Sequence, residues 1–190
     1  MRLGHLVQLR PAVSVADLSD EGLAAACATG DRAAQGLLFE RHADAVYRFI
    51  ARMRGSDPSS IDDLVQATFL AAFASAGRFR GPKLSSWLYG IAVNVMRNYV
   101  RKEVARKRVA SSFAELPAPE AIAPRDADVL RLRAAIDSLT PKLRAAIVLV
   151  DLQGESGTDA AAALGIPEGT LWRRLSDARA RLREALGGAP

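Results

Sequence analysis

Apolar residues recur at three- and four-residue spacing in segment after segment of this chain, Gly and Pro fall between those segments, and β-branched alternation is scarce. That pattern suits helices and not a sheet, so the expected fold class is all-α. A first helix is expected from near Asp20 to Ala28, with a turn at Gly30. The next starts from Asp31, a good N-cap, and runs to about Met53. GSDPSS breaks the chain, and Ser60 is placed to cap IDDLVQATFLAAFASA. Residues 77–86 form a loop rich in Gly and basic side chains, followed by a helix from about Ser86 to Arg106. Residues 111–126, with three prolines and no helical period, read as a flexible linker between two small helical domains.

Beyond the linker come Ala127–Leu139, then Thr140 as N-cap with Pro141 at the first helical position of a helix ending near Gly154. Ser156 with Asp159 resembles a capping box for a short helix to Leu164, Gly165 makes a turn, and a last helix runs from about Pro167 to Leu186. Residues 1–16 read as a loose leader, and there is no internal repeat.

Charge separates the chain into unlike surfaces. Asp20 to Gly77 holds eight acids against five arginines, whereas Arg78 to Arg108 holds nine basic residues against one acid, Glu103. An acidic segment meeting a basic one suggests two partners, although a solvated charged face is the plainer reading of the basic run. The 190 residues, 49% hydrophobic and 25% charged, suffice for two modest cores, and a net charge of +5 favours anionic partners. Cys27 is the only cysteine, and His5 and His42 are isolated, so no disulfide framework, metal set or cofactor is expected. The apolar start is interrupted by Gly4, His5, Gln8 and Arg10, which argues against a signal peptide. No stretch could span a bilayer, so no membrane insertion is expected and a reducing cytoplasm is the default location.

In WLYGIAVNVMRNYVR, Leu88, Ile91, Ala92, Val95 and Tyr99 fall in one helical stripe, the expected core side. Trp87, Gly90, Asn94, Arg97 and Arg101 cluster on another face. An aromatic surface for an unstacked base, amide donors and guanidinium groups for phosphates are what single-stranded nucleic acid requires. Arg78, Arg80 and Lys83 in the preceding loop extend that face; Trp87 reads equally well as a cap on the core. Near the end, TDAAAALG, IPEGT and LWRRLSDARARLREAL form a helix-turn-helix candidate. Leu171, Leu175, Ala178, Leu182 and Leu186 face inward in its last helix; Thr170, Trp172, Arg173, Arg174 and Arg181 lie outside, where a recognition helix meets base edges.

SIDDLVQATFLAAFASAGRFRG and SSWLYGIAVNVMRNYVRK resemble conserved region 2 of the extracytoplasmic-function (ECF) sigma factors. IDSLTPKLRAAIVLVDLQGESGTDAAAALGIPEGTLWRRLSDARARLREAL resembles their region 4, and DEGLAAACATGDRAAQGLLFERHADAVYRF the start of the first domain. The resemblance implies a region 2 domain over 17–108, a linker over 109–127 and a region 4 helix-turn-helix domain over 128–186. It implies core RNA polymerase and promoter DNA as partners, with an anti-sigma factor as restraint. Asp62, Asp63, Gln66 and Phe69 match the surface that docks on a coiled coil of the polymerase; Phe73 shares that face but is read as core. The loop from Arg78 to Ser86, including Lys83 and Ser85, and the face carrying Trp87, Asn94, Arg97 and Arg101 match the part that captures bases of the minus-ten element. The last helix matches the reader of the minus-thirty-five element.

Departures from the family pattern carry expectations of their own. The capture loop has five residues between Gly81 and Trp87, one fewer than is usual, and Ala67 replaces a usual acid. Glu155, Gly157 and Ala160 stand where large apolar or aromatic residues are common, so loose packing of the first helix of the helix-turn-helix is expected. Trp172 and Arg173 replace a usual Lys-Ser pair, which implies a different recognised sequence. A degenerate sigma-like adaptor and a plain helix-turn-helix regulator remain as alternatives. An enzyme is least favoured: there is no phosphate-cradling loop or catalytic Cys/His spacing, and the adjacent Asp62 and Asp63 point about 100° apart on a helix.

Overall fold

The structure, a computed structural model, describes residues 18–54, 60–81, 83–109 and 127–187, and of residues 107–109 the backbone alone. The expected leader and residues 111–126 lie outside the described residues. The elements are α1 (Asp20–Ala28), α2 (Arg32–Arg54), α3 (Ile61–Ser75), α4 (Leu84–Val109), α5 (Ala127–Ser138), α6 (Pro141–Ile147), α7 (Gly157–Leu164) and α8 (Glu168–Ala185). No strand occurs among the described residues, so the all-α expectation holds.

Local chemistry sets most of the helix starts. Ser19 Oγ accepts from the Gly22 amide at 3.2 Å, and Asp31 Oδ1 from Ala33 and Ala34 at 2.8 and 3.2 Å. Ser156 caps α7: its Oγ accepts from the Asp159 amide at 3.1 Å and, in place of the backbone bond of a capping box, donates to Asp159 Oδ2 at 2.7 Å. Ser60 and Thr140 occupy cap positions, but neither side chain makes the capping bond. Pro141 opens α6 in its place. The helix α6 does not stop at Ile147 but widens into a π-turn over Val148–Leu152, which carries the chain to Gly154.

The helices α1–α4 enclose Leu23, Leu38, Phe49, Ile50, Leu64, Leu84 and Leu88; α6–α8 enclose Val148, Leu149, Leu171 and Leu175, all essentially fully buried. Each such side chain contributes about 1.5–3 kcal/mol of burial as an upper bound. The two cores form one continuous apolar cluster, because α7 lies along α4.

That packing corrects the expected core stripe of α4. Leu88 and Ala92 are buried as expected, but Ile91, Val95 and Tyr99 are only half-buried. Leu84, Tyr89, Val93 and Met96 are buried instead. Periodicity locates one apolar face; it could not anticipate that a second group of helices covers part of the other.

Candidate functional site

Three surfaces gather the residues singled out from sequence. The first is a groove of about 510 Å³ between α2 and α3. Asp62, Asp63 and Gln66 are exposed along its edge, as expected of a docking surface. Phe69 does not reach out with them. It is 2% exposed, edge-on to Phe39 at 4.8 Å between ring centroids and 6.2 Å from Phe73. Phe73, expected in the core, is half-buried and lines the groove. The apolar side chains offered to a partner are Phe39, 47% exposed, and Leu70, 61% exposed. Sequence reasoning missed both, though Leu70 stands one helical turn beyond Gln66 on the polar side of α3.

The second surface is built by the loop before α4 and the helix itself. Phe79 is buried, and Trp87 stands edge-on to it with centroids 5.5 Å apart, so the indole is half-buried. Trp87 therefore leans on the core and keeps a side facing outward. Asn94, Arg97 and Arg101 are exposed along the same helix, and Arg78 is exposed in the loop. Arg80 turns back on its own loop, donating to the Gly77 carbonyl at 3.0 Å and the Phe79 carbonyl at 2.6 Å. Arg101 donates to Asn98 Oδ1.

Against this surface lies α7. A cleft of about 460 Å³ has Lys83, Ser86, Trp87, Asn94 and Arg97 on one wall and Asp159 with residues 162–165 on the other. Lys83 Nζ is 3.5 Å from Asp159 Oδ2. Ser85 Oγ donates to Glu155 Oε1 at 3.0 Å and Ser86 Oγ to Glu155 Oε2 at 2.5 Å. The Tyr89 hydroxyl donates to Gln153 Oε1 at 3.2 Å, and burial, followed by the Glu155 charge, raises its pKa above the usual phenol value. At the other end of the contact, Arg144 donates to the Met53 carbonyl at 2.9 Å.

The third surface is the outer side of α8, where Trp172, Arg173 and Arg181 are exposed and Thr170 half-buried. Arg174 points elsewhere, into a groove it shares with Asn94, Arg97 and Arg101 of α4. Arg179, not singled out from sequence, pairs with Asp151 at 2.6 and 3.0 Å.

The expected looseness of α7 is not found. Ala160 is fully buried, and Glu155, 8% exposed, is held by the two serines. At Gly157, a Cβ would stand 2.4 Å from Cζ2 of Trp172. The indole thus lies where a larger residue at position 157 would sit, so two departures from the family pattern compensate each other.

An acidic, aromatic groove, a basic helix face with an aromatic at its head, and a helix-turn-helix define a protein of the sigma-70 class. The Sigma-70 region 2 profile matches residues 38–106 and the Sigma-70 region 4 profile residues 130–182. The ECF RNA polymerase sigma factor SigE of Mycolicibacterium smegmatis is 34% identical over 97% of this chain and 75% of that protein. SigM of Mycobacterium tuberculosis is 38% identical over 89% of this chain and 85% of that protein. Among solved structures, the sigma factor RpoE of Bartonella quintana, in complex with the anti-sigma factor NepR, superposes with a TM-score of 0.67 at 30% identity, covering 78% of this chain and 94% of that one.

The chain belongs to the ECF RNA polymerase sigma factors, proteins that direct polymerase to promoters. No helix among the described residues is long and apolar enough to cross a membrane.

Proposed function

We propose that this sigma factor divides its work between residues 17–108 and 128–186, joined by 109–127, along the three surfaces above. Asp62, Asp63 and Gln66, with Leu70 and Phe39 as apolar anchors, dock on a helical element of core polymerase; Phe69 holds the groove floor rather than touching the partner. Arg78, Lys83, Ser85, Trp87, Asn94, Arg97 and Arg101 take the minus-ten element. Thr170, Trp172, Arg173 and Arg181 read the minus-thirty-five element, with Arg174 at the margin. Arg80 shapes the capture loop through Nη1, which donates to two of its carbonyls.

The exposed amide and guanidinium row beside a half-exposed indole on α4 carries this reading. Extruding a base costs a few kcal/mol, and stacking on an aromatic returns about 1–3 kcal/mol per base. One indole with a hydrogen-bonding amide one or two turns away is therefore enough to hold a base out of the duplex. The chain performs no chemistry of its own in this scheme; it acts in the cytoplasm by binding, and an anti-sigma factor restrains it.

Run-off transcription with purified core polymerase and a promoter library tests the assignment. Initiation that depends on this protein is expected. In the double variant Asn94→Ala, Trp87→Ala, polymerase binding should persist while open-complex formation is lost. Permanganate footprints unchanged in that variant would refute the α4 face.

A further inference from the structure

The helix that carries Trp87 and Asn94 starts at Leu84, and its own sequence does little to hold that start. Lys83 precedes it with an ammonium, a donor that cannot accept from the orphan amides of a helix end. The bond that closes the first turn, from the Trp87 amide to the Lys83 carbonyl, is long at 3.4 Å. Ser85 and Ser86 give their hydroxyl protons to Glu155. An acceptor for the first amide comes from the other end of the domain: Asp20 Oδ2 takes the Leu84 amide at 2.7 Å across a separation of 64 residues. Asp20 is the first residue of α1, so one half-buried carboxylate stands at the N-termini of two helices, where both dipoles favour a negative charge.

The loop before α4 is laid on α1 as well. A Cβ on Gly77 would touch Ala28 Cβ at 3.6 Å, and Phe79 and Leu84 anchor the loop in the core at its two ends. Arg80 ties the carbonyls at the near end, and Asp20 holds the amide at the far end. Leu84 lies about one helical turn before Trp87, so its placement decides where the indole and the side chains beyond it face.

We infer that Asp20 is a positioning residue for strand capture: by pinning the Leu84 amide it fixes the first turn of α4 in the setting that presents Trp87 to an extruded base. This rests on the α4 assignment made above. Asp20 acts through Leu84 and not by touching DNA. Without the pin the first turn frays, and capture weakens by the fraction of chains in which Trp87 is misplaced.

The test uses the full chain, free and in holoenzyme, at a pH well above 6.5, so that His42, on which the Asp20 charge also bears, stays neutral. Asp20→Ala removes the acceptor, and Asp20→Asn keeps an acceptor oxygen without the charge. Ser19→Ala is the matched control: it removes the cap of α1, a bond of 3.2 Å from the Gly22 amide, and leaves the Leu84 amide alone. Hydrogen exchange at the Leu84 amide of the free chain, read by heteronuclear NMR, reports the pin. Permanganate reactivity of holoenzyme on a promoter recovered from the run-off library reports capture.

Asp20→Ala should open the Leu84 amide to exchange and lower open-complex formation about tenfold, the worth of a hydrogen bond to a charged group, while polymerase binding holds. Asp20→Asn should stay within about threefold of the parent. Ser19→Ala should lose stability like any helix that loses its cap, yet open the promoter as the parent does. A Leu84 amide as protected in Asp20→Ala as in the parent overturns the pin. An exposed amide with undiminished open complexes, no rescue by Asp20→Asn, or an equal loss in Ser19→Ala overturns the positioning role. Open complexes that survive Asn94→Ala with Trp87→Ala refute the α4 face itself, and the role of Asp20 falls with it.

Discussion

Phe69 and Leu70 are neighbours on α3 with opposite fates, and their substitutions separate stability from binding. Phe69 is buried between Phe39 and Phe73, so Phe69→Ala should cost about 3–5 kcal/mol in urea-melting midpoint analysis. Leu70 is exposed, and Leu70→Ala should stay within about 0.5 kcal/mol of the parent. Its polymerase affinity should nevertheless fall at least about fivefold in a pull-down titration, the loss typical of an interface anchor. Equal effects on both measurements would merge the groove with the core. A second residue pair belongs to region 4. Gly157→Val must displace the indole of Trp172, which is 49% exposed. Its cost to folding should be within about 1 kcal/mol, because the clash is with the rim of a surface side chain. Base preference at the minus-thirty-five element, read by sequencing selected promoters, should change as it does in Trp172→Ala. Residue identity alone made Gly157 look like lost packing, since nothing in a linear sequence says which distant side chain fills the space.

At the scale of elements, much was legible because helix starts are written in local chemistry. Asp31 and Ser156 announce themselves as acceptors for orphan amides, and the helices α2 and α7 begin where they stand. Ser60 shows the limit: the residue type is right, but its hydroxyl is buried and makes no capping bond. The π-turn after α6 was equally hidden: VLVDL holds no breaker to announce it, and Val148 and Leu149 are buried within it. The pairing of α1 with α2 has a consequence in pH. Burial lowers the pKa of His42 below 6.5, against the opposing charge of Asp20 and with the help of Arg41. The unfolded chain therefore takes up this proton first as pH falls. The contribution of neutral His42 to stability is complete above pH 6.5 and declines below it. Urea midpoints of the parent should fall as pH drops below 6.5, and His42→Gln should flatten that fall. Parallel curves would mean that the histidine titrates freely in the folded protein.

For the molecule as a whole, the division of charge along the chain predicts how binding responds to salt. The acidic stretch ending at Gly77 holds the groove proposed for polymerase, and the basic stretch beginning at Arg78 holds the α4 face proposed for DNA, so on that proposal the two partners are met by opposite fields. That division was legible in sequence. The seam that joins them was not, because Glu155 and Gln153 reveal their role only beside Ser85, Ser86 and Tyr89 from the other half of the chain. Each phosphate contact releases counterions and adds about 0.9 to the slope of log affinity against log salt. Among the described residues, no acid pairs with Arg97 or Arg101 along α4, and both are exposed, so each can serve a phosphate. Promoter binding by the holoenzyme should lose about one unit of slope for Arg97→Ala and again for Arg101→Ala. Asp62→Ala should leave the slope alone and weaken polymerase binding instead. A slope that survives loss of both arginines would put the DNA backbone somewhere other than α4.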